Sequence, residues 1–264
     1  MTLSGVLVVD KPQGPTSFDV VARVKRALRA KTAGHTGTLD PAATGVLAVC
    51  VGDGVKLQRF LTEGDKAYLA TIGFGAATDT EDREGAVVAR GDPGAITLEA
   101  LTAALPRFLG EIDQIPPMFS AVRVGGRRLH EAARAGEEVA RAPRRVRVDA
   151  LEVVALAAPE GGLALAQVAV RCGKGTYVRT LAADLGRALG VPAHLAALRR
   201  TEAGPFTLAE ALTLDEAERL AAKDPSALAA RLLPLAGALR GFPAVTLAAD
   251  EARQLSHGRP VPMA

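Results

Sequence analysis

Short hydrophobic runs alternate along this chain with breaks marked by glycine and proline, and most of the runs have the length of strands. Gly5-Val6-Leu7-Val8-Val9-Asp10 predicts a buried strand that stops at Lys11-Pro12 and turns at Gly14-Pro15. Ser17 stands where it can cap the next helix, in which Phe18, Val21, Val24 and Leu28 fall on one face. A loop rich in glycine and threonine, residues 32–44, leads to the apolar run Gly45–Val51, which predicts a strand buried on both faces. Lys66–Phe74 reads as another strand and is followed by the acidic loop Thr78-Asp79-Thr80-Glu81-Asp82. Leu98, Leu101, Leu105 and Phe108 mark an amphipathic helix starting near Thr97.

Residues 146–156 and 163–172 predict two strands joined by Pro159-Glu160-Gly161-Gly162, an antiparallel pair. Val178, Leu181, Leu185 and Leu189 form the stripe of a helix that ends at Gly190. Thr213-Leu214-Asp215-Glu216 is a capping box for one more helix. Near Arg240-Gly241-Phe242-Pro243 the chain changes character, and Val245-Thr246-Leu247 is expected to begin a short strand. Helices and strands interleave without a regular βαβ period. The expected class is therefore mixed α/β (α+β) and not a doubly wound nucleotide fold.

Composition narrows the picture. A chain of 264 residues with 48% hydrophobic content can bury a core and is not disordered. No apolar stretch approaches a membrane span and no leader is legible, so a soluble, cytoplasmic protein is expected. Cys50 and Cys172 sit in apolar strand-like runs, which favours buried free thiols over a disulfide. The net charge is only +3, but the basic residues are mostly arginine, whose planar fork suits phosphates and base edges. Arg123, Arg127, Arg128, Arg134, Arg141, Arg144, Arg145 and Arg147 crowd one stretch, opposed within it by Glu131, Glu137 and Glu138. On charge alone, that stretch is equally a phosphate-tracking surface or a solvated face.

The common cofactor motifs fail on inspection. Gly73-Phe74-Gly75 lacks the third glycine of a dinucleotide fingerprint, because Thr78 occupies that place. In Gly173-Lys174-Gly175-Thr176 a glycine separates the Lys from the Thr, and Val168 stands where a P-loop begins. Residues 79–85 carry Arg83 at a ligand position of an EF-hand loop. His35, His130, His194 and His257 have no companions at metal spacing. No cofactor and no metal are expected.

Polar groups at strand ends remain as candidates. Asp40 closes the run His35-Thr36-Gly37-Thr38-Leu39 and precedes Pro41; taken alone, an Asp-Pro after glycines is a turn. Tyr68 lies in a strand, while Tyr177 and Arg179 open a helix; these are the only two tyrosines. A lone tyrosine is ordinarily an amphipathic core residue.

Five blocks together are more specific. Gly5–Gly14 (GVLVVDKPQG), Ala33–Gly45 (AGHTGTLDPAATG), Lys66–Tyr68 with Gly75–Asp82, Gln114–Ala121 (QIPPMFSA) and Gly173–Leu185 (GKGTYVRTLAADL) stand in the order and spacing of one family. From about residue 4 to 235 the chain resembles the TruB family of bacterial tRNA pseudouridine synthases.

The resemblance implies a pseudouridine synthase fold, with a mixed, largely antiparallel sheet, flanking helices and a central RNA-binding cleft. It implies isomerisation of the T-loop uridine of tRNA, conventionally position 55, without cofactor or metal. Asp40 then matches the carboxylate that starts cleavage of the glycosidic bond, by attack on the base, attack on the sugar or a glycal route. The target nucleotide must be flipped out of its stack. Tyr68 matches the tyrosine that stacks on the flipped base, and Arg179 the arginine that pairs with the aspartate and orients it. Tyr177 and Leu198 match positions lining the base pocket. His35 matches a histidine that enters the T-loop. Lys11-Pro12 matches a family motif with a supporting, structural role.

Residues 116–147 align with the family's mobile RNA-gripping thumb, which turns the arginine-dense stretch toward phosphate contact. Gly125, Gly126 and Gly136 would permit hinge motion. The expected division is a catalytic domain over 1–238, thumb included, and a reduced PUA-like element over 239–264. In that element, Phe242–Val261 resemble an opening strand, helix and strand. The expected partner is tRNA through its T-arm, with a monomer and no obligate protein partner or membrane. Two rival readings are a T-arm-binding chaperone without catalysis and a related synthase acting on another RNA under a guide complex.

Overall fold

The computed structural model describes residues 3–120 and 122–262; Ala121 and the side chains of Arg128, His130 and Arg134 lie outside the described set. The strands begin with β1 (Gly5–Lys11), β2 (Ala33–His35), β3 (Thr44–Val51), β4 (Lys66–Phe74), β5 (Ala76–Thr78), β6 (Val87–Arg90) and β7 (Gly110–Gln114). They continue with β8 (Arg123–Val124), β9 (Arg127–Arg128), β10 (Arg144–Leu156), β11 (Ala164–Cys172), β12 (Ala193–Ala203), β13 (Phe206–Thr207) and β14 (Leu212–Thr213). The helices are α1 (Ser17–Ala27), α2 (Gln58–Leu61), α3 (Leu98–Ala104), α4 (Leu129–Arg134) and α5 (Val178–Leu189), then α6 (Leu214–Lys223), α7 (Pro225–Ala229), α8 (Leu235–Ala238) and α9 (Ala249–Ser256).

One mixed sheet organises the molecule, in the order β14-β1-β3-β12-β4-β11-β10-β7, with β13 on β12 and β2 on β3. Its pairs are antiparallel except β1–β14 and β3–β12. The expected mixed, largely antiparallel architecture is thus present, including the β10–β11 pair. Strand period explains the layers. In β1, Leu7 and Val9 enter a core beneath α1, α6 and α7, whereas Val6 and Val8 enter a second core on the other face. β3 divides likewise, Leu47, Val49 and Val51 one way and Val46, Ala48 and Cys50 the other, so this strand is buried on both faces. A third core lies under α3 and α5, built around Ile72, Phe74, Val168, Leu181 and Leu185. Both cysteines are free and buried; burial raises their thiols to about 12 for Cys50 and about 11 for Cys172.

The seam between β3 and β12 requires a glycine. Gly45 pairs with Arg200 at φ +104°, and a Cβ there would stand 2.1 Å from the Arg200 carbonyl oxygen. Near residue 45 the same seam brings together β1, β3 and β12, which places Lys11, Gly45 and Arg200 side by side.

Four sequence expectations change. Thr16, not Ser17, caps α1: it holds an extended backbone, accepts from Asp19 N–H and completes a capping box with the Asp19 carboxylate. Phe18 leaves the apolar face and is 77% exposed, the buried stripe being Val20, Val21, Val24 and Leu28. Leu98 is likewise exposed on α3, capped by Thr97, and Leu101 and Leu105 carry the packing. Val245-Thr246-Leu247 form no strand, and among the described residues only α9 is regular between residues 241 and 262. The α5 helix agrees in detail, ending on left-handed Gly190, and the Thr213–Glu216 capping box opens α6.

Candidate active site

Asp40 sits where the loop after β2 turns toward β3, in a turn closed by the Ala43 N–H donating to the Asp40 carbonyl. Three buried side chains fix this loop through its backbone. Ser17 Oγ donates to the Leu39 carbonyl at 2.9 Å and accepts from the Leu39 N–H at 2.8 Å. That explains why Ser17 is not the cap: its hydroxyl faces inward to the loop. Lys11, fully buried, sends its ammonium to the carbonyls of Pro12 (2.9 Å), Pro41 (3.1 Å) and Ala43 (2.7 Å). Burial pushes Lys11 down to about 8, against the opposing pull of Asp40. Arg200 donates from Nε to Val46 O (2.8 Å), from Nη1 to Thr38 O (3.3 Å) and from Nη2 to Gly37 O (3.0 Å).

Arg179 reaches Asp40 from the first turn of α5. Its Nε stands 3.2 Å from Asp40 Oδ2, with the Arg179 side chain 8% exposed and that of Asp40 45%. The rest of the guanidinium is satisfied by protein: Nη1 bonds Asp82 Oδ2 (3.3 Å) and Thr80 O (3.3 Å), and Nη2 bonds Phe119 O (2.9 Å). A buried arginine with every edge occupied is held in one rotamer. The acidic loop is in turn fixed to α5 and β12. Thr180 Oγ1 donates to Glu81 Oε2 at 2.7 Å, and Leu195 N–H donates to the Glu81 carbonyl. Glu81 itself holds a left-handed backbone at φ +62°.

Asp40, Ala43, Asp82, Arg179, Leu195 and Leu198 line a small cleft. The structure thus joins three of the expected site residues, Asp40, Arg179 and Leu198, at one concavity. Tyr68 is half-buried on β4, paired in register with Arg200. Burial raises the Tyr68 phenol, Arg200 opposing, so the hydroxyl stays protonated at neutral pH. Tyr68, Tyr177 and His35 are not among the cleft-lining residues. Tyr177 is the N-terminal flank of α5, its backbone gripped at both ends by buried Gln114, whose Oε1 accepts from Tyr177 N and whose Nε2 donates to Tyr177 O. His35 lies on β2, where the Gly37 N–H donates to its Nδ1 at 3.3 Å and Gln58 donates to its carbonyl. Burial and then the neighbouring Arg200 lower the His35 imidazole, which is neutral at pH 7.

Sequence reasoning missed Arg200, Asp82 and Gln114 as site-building residues. Arg200 left one signal: a second arginine, next to Arg199, in an otherwise apolar strand. Strand alternation sends Arg199 outward to a two-pronged pair with Asp10, at 3.1 and 2.7 Å, and Arg200 into the core.

In the arginine-dense stretch, β8 and β9 form a hairpin turned on Gly125 and Gly126, at φ +58° and +86°, followed by α4. Arg144, Arg145 and Arg147 belong instead to β10, at the sheet edge beside β7. The sequence count of opposing acids also changes. Arg145 pairs with Glu111 and Asp113 and Arg147 with Asp65 and Asp149, all outside the stretch, while Arg127 pairs with Glu137. Arg141 donates to the Pro116 carbonyl. The expectations for Arg128, Arg134 and Ala121 fall outside the described residues.

Residues 25–178 match the TruB family pseudouridylate synthase N-terminal domain, and residues 179–240 the tRNA pseudouridylate synthase B C-terminal domain. The tRNA pseudouridine synthase B of Symbiobacterium thermophilum is 52% identical over 256 residues, 97% of this chain and 82% of that protein. The Ralstonia nicotianae protein of the same name is 49% identical over 263 residues, 98% of this chain and 81% of its own length. Among solved structures, a Cbf5-Nop10-Gar1 complex superposes with a TM-score of 0.74 at 30% identity, covering 96% of this chain and 67% of that one. An H/ACA RNP bound to a substrate RNA containing 2'-deoxyuridine gives 0.66 at 29% identity, covering 90% and 62%. The chain belongs to the TruB family of pseudouridylate synthases.

Proposed function

We propose that the chain isomerises the T-loop uridine of tRNA, conventionally position 55, and that Asp40 is the carboxylate that starts the reaction. That it is an RNA uridine isomerase acting on tRNA follows from its family and relatives; the target position and the residue roles go beyond them. The observation that carries this reading is the ion pair in which buried Arg179 holds half-exposed Asp40 at the mouth of the cleft. An aspartate aimed from a triply fixed loop, reachable by solvent yet locked by a rigid cation, is arranged to act on a bound group rather than to hold the fold together.

In the proposed reaction the uridine is flipped into the cleft. The N1–C1′ bond breaks with Asp40 initiating the cleavage, the uracil turns, and C5 bonds to C1′. The C5 proton leaves to solvent and N1 takes one up, so atoms and charge balance without an external reagent. Tyr68 supplies a ring against the base, Leu198 the apolar wall, and Tyr177 and His35 further base contacts. The hairpin and α4 of segment 116–147 grip the backbone, and residues 239–262 serve as a PUA-like element. The enzyme works as a cytoplasmic monomer; no helix among the described residues is long and apolar enough to cross a membrane.

The reading of a synthase under a guide complex draws on solved structures about 30% identical, whereas the relatives named for tRNA stand near 50%. Mapping pseudouridine by carbodiimide-primed extension stops on an unmodified tRNA transcript tests the target. A single new stop in the T-loop is expected. A stop elsewhere, or none, would overturn it.

A further inference from the structure

We propose that Phe18, held edge-on to His35 beside the active-site loop, is a stacking platform for an unpaired nucleobase of the bound RNA, next to the flipped uridine. This deepens the proposed function and rests on it. The chain is poor in aromatic residues, with seven Phe, two Tyr and no Trp. Phe74 and Phe206 are buried, as packing requires, yet Phe18 is 77% exposed at the start of α1. A solitary exposed phenylalanine would call for no explanation. This one has a partner: its ring lies 6.1 Å from that of His35, at 87°. One edge of the pair is protein and the open face of Phe18 is water.

The pair is also fixed in place. Thr16 and Asp19 lock the helix start, and Ser17, the residue before Phe18, exchanges two hydrogen bonds with Leu39, the residue before Asp40. The His35 ring is tied to the Gly37 N–H through Nδ1, so its proton sits on Nε2, facing away from that bond. Phe18, His35 and Asp40 therefore share one rigid frame, as a recognition surface beside a reacting group must.

Charge selects the occupant. From Phe18 the exposed face of α1 runs through Ala22 to Lys25 and Arg26, about 12 Å of helix, and exposed Arg29 follows just past the helix end. Asp19 is the acidic residue on this helix, and its carboxylate is engaged by Thr16. An aromatic face leading into a cationic track suits a polyanion that carries bases, where stacking supplies affinity and phosphates supply register. An apolar protein segment would gain nothing from the cations.

Because the chain has no tryptophan, Phe18→Trp introduces a sole indole at an exposed position where folding is not at risk. Titration with a T-arm hairpin is expected to quench its fluorescence at saturation, with Kd within about threefold of wild type. Phe18→Ala is expected to raise Kd and KM together by about tenfold, with a much smaller change in kcat. Phe18→Tyr restores binding and Phe18→Leu, which is apolar but has no π face, does not. An unquenched indole at saturation, or Phe18→Leu binding as wild type does, would overturn the proposal. So would quenching that rises with protein concentration in the absence of RNA, which marks a second copy as the occupant. If wild type binds and converts the hairpin while the indole stays silent, the stacking proposal alone falls. If the hairpin neither binds nor reacts, the proposed substrate falls with it.

Discussion

The Nε of Arg179 lies 3.2 Å from Asp40 Oδ2, while the same guanidinium spends its other nitrogens on Asp82, Thr80 and Phe119. Arg179 is thus a joint between α5, the acidic loop and the Asp40 loop. Four oxygens in different directions need a planar fork of donors, which a lysine ammonium cannot supply. Arg179→Lys is expected to lower kcat by about a hundredfold and to destabilise the fold by about 2 kcal/mol, since Asp82 and two carbonyls lose partners. Tritium release and urea denaturation read the two effects separately. Near-wild-type values for both would remove Arg179 from this role.

Arg200 acts through the loop and not on the substrate. Its three hydrogen bonds to Gly37, Thr38 and Val46 and its place opposite Tyr68 in the sheet make it a positioning residue. Arg200→Gln is expected to lower kcat more than it raises KM, and to increase amide hydrogen exchange across residues 36–40. Unchanged exchange there with lost activity would contradict positioning.

Lys11 gives a pH dependence with a definite sign. Its folded value, about 8, lies below the ordinary 10.5. Between those values the unfolded chain binds more protons than the folded one, so the Lys11 contribution to stability rises with pH across that window. The stability of wild type relative to Lys11→Met is therefore expected to be higher at pH 9.5 than at pH 7.5, as read by paired urea melts. The ammonium has three donors for three carbonyls and the amine only two, so kcat falls on an alkaline limb near pH 8. A stability difference that is flat or falls with pH would refute the assignment.

RNA binding is expected to weaken with salt. For each of Arg123 and Arg144, substitution by Ala is expected to flatten the log–log slope by roughly one counterion. Arg145 and Arg147 already pair with carboxylates in the folded chain, so their substitution should change the slope less. Equal slopes for all four variants would separate the arginine stretch from phosphate contact.

The sequence made strands and helix stripes legible where burial was one-sided or complete, as in β3 and α5. It misled at element ends. Ser17 and Thr16 are equally good caps by residue type, and only the loop packed against Ser17 decides between them. Phe18 fits the α1 stripe by periodicity, which carries no information on a ring held outward by His35. The pair of Asp40 with Arg179 came from resemblance, because no local pattern relates residues 139 positions apart. Asp82 and Arg200 became visible only when the sheet brought their strands and loops together. Glu111, Asp113 and Asp65 were hidden for the same reason: they meet Arg145 and Arg147 across β7 and β10 or at the entry to β4, whereas Asp149 lies two residues along β10 from Arg147.

The central claim is that Asp40 starts the cleavage. Single-turnover tritium release from a T-arm hairpin carrying [5-³H]uridine tests it most directly, with wild type and Asp40→Asn side by side and Kd measured for both. Asp40→Asn keeps the shape and a hydrogen-bonding oxygen but removes the charge. Wild type is expected to release tritium, and Asp40→Asn to be slower by at least about a thousandfold with Kd within about threefold. Release by Asp40→Asn at more than about a tenth of the wild-type rate, at equal binding, would contradict the account.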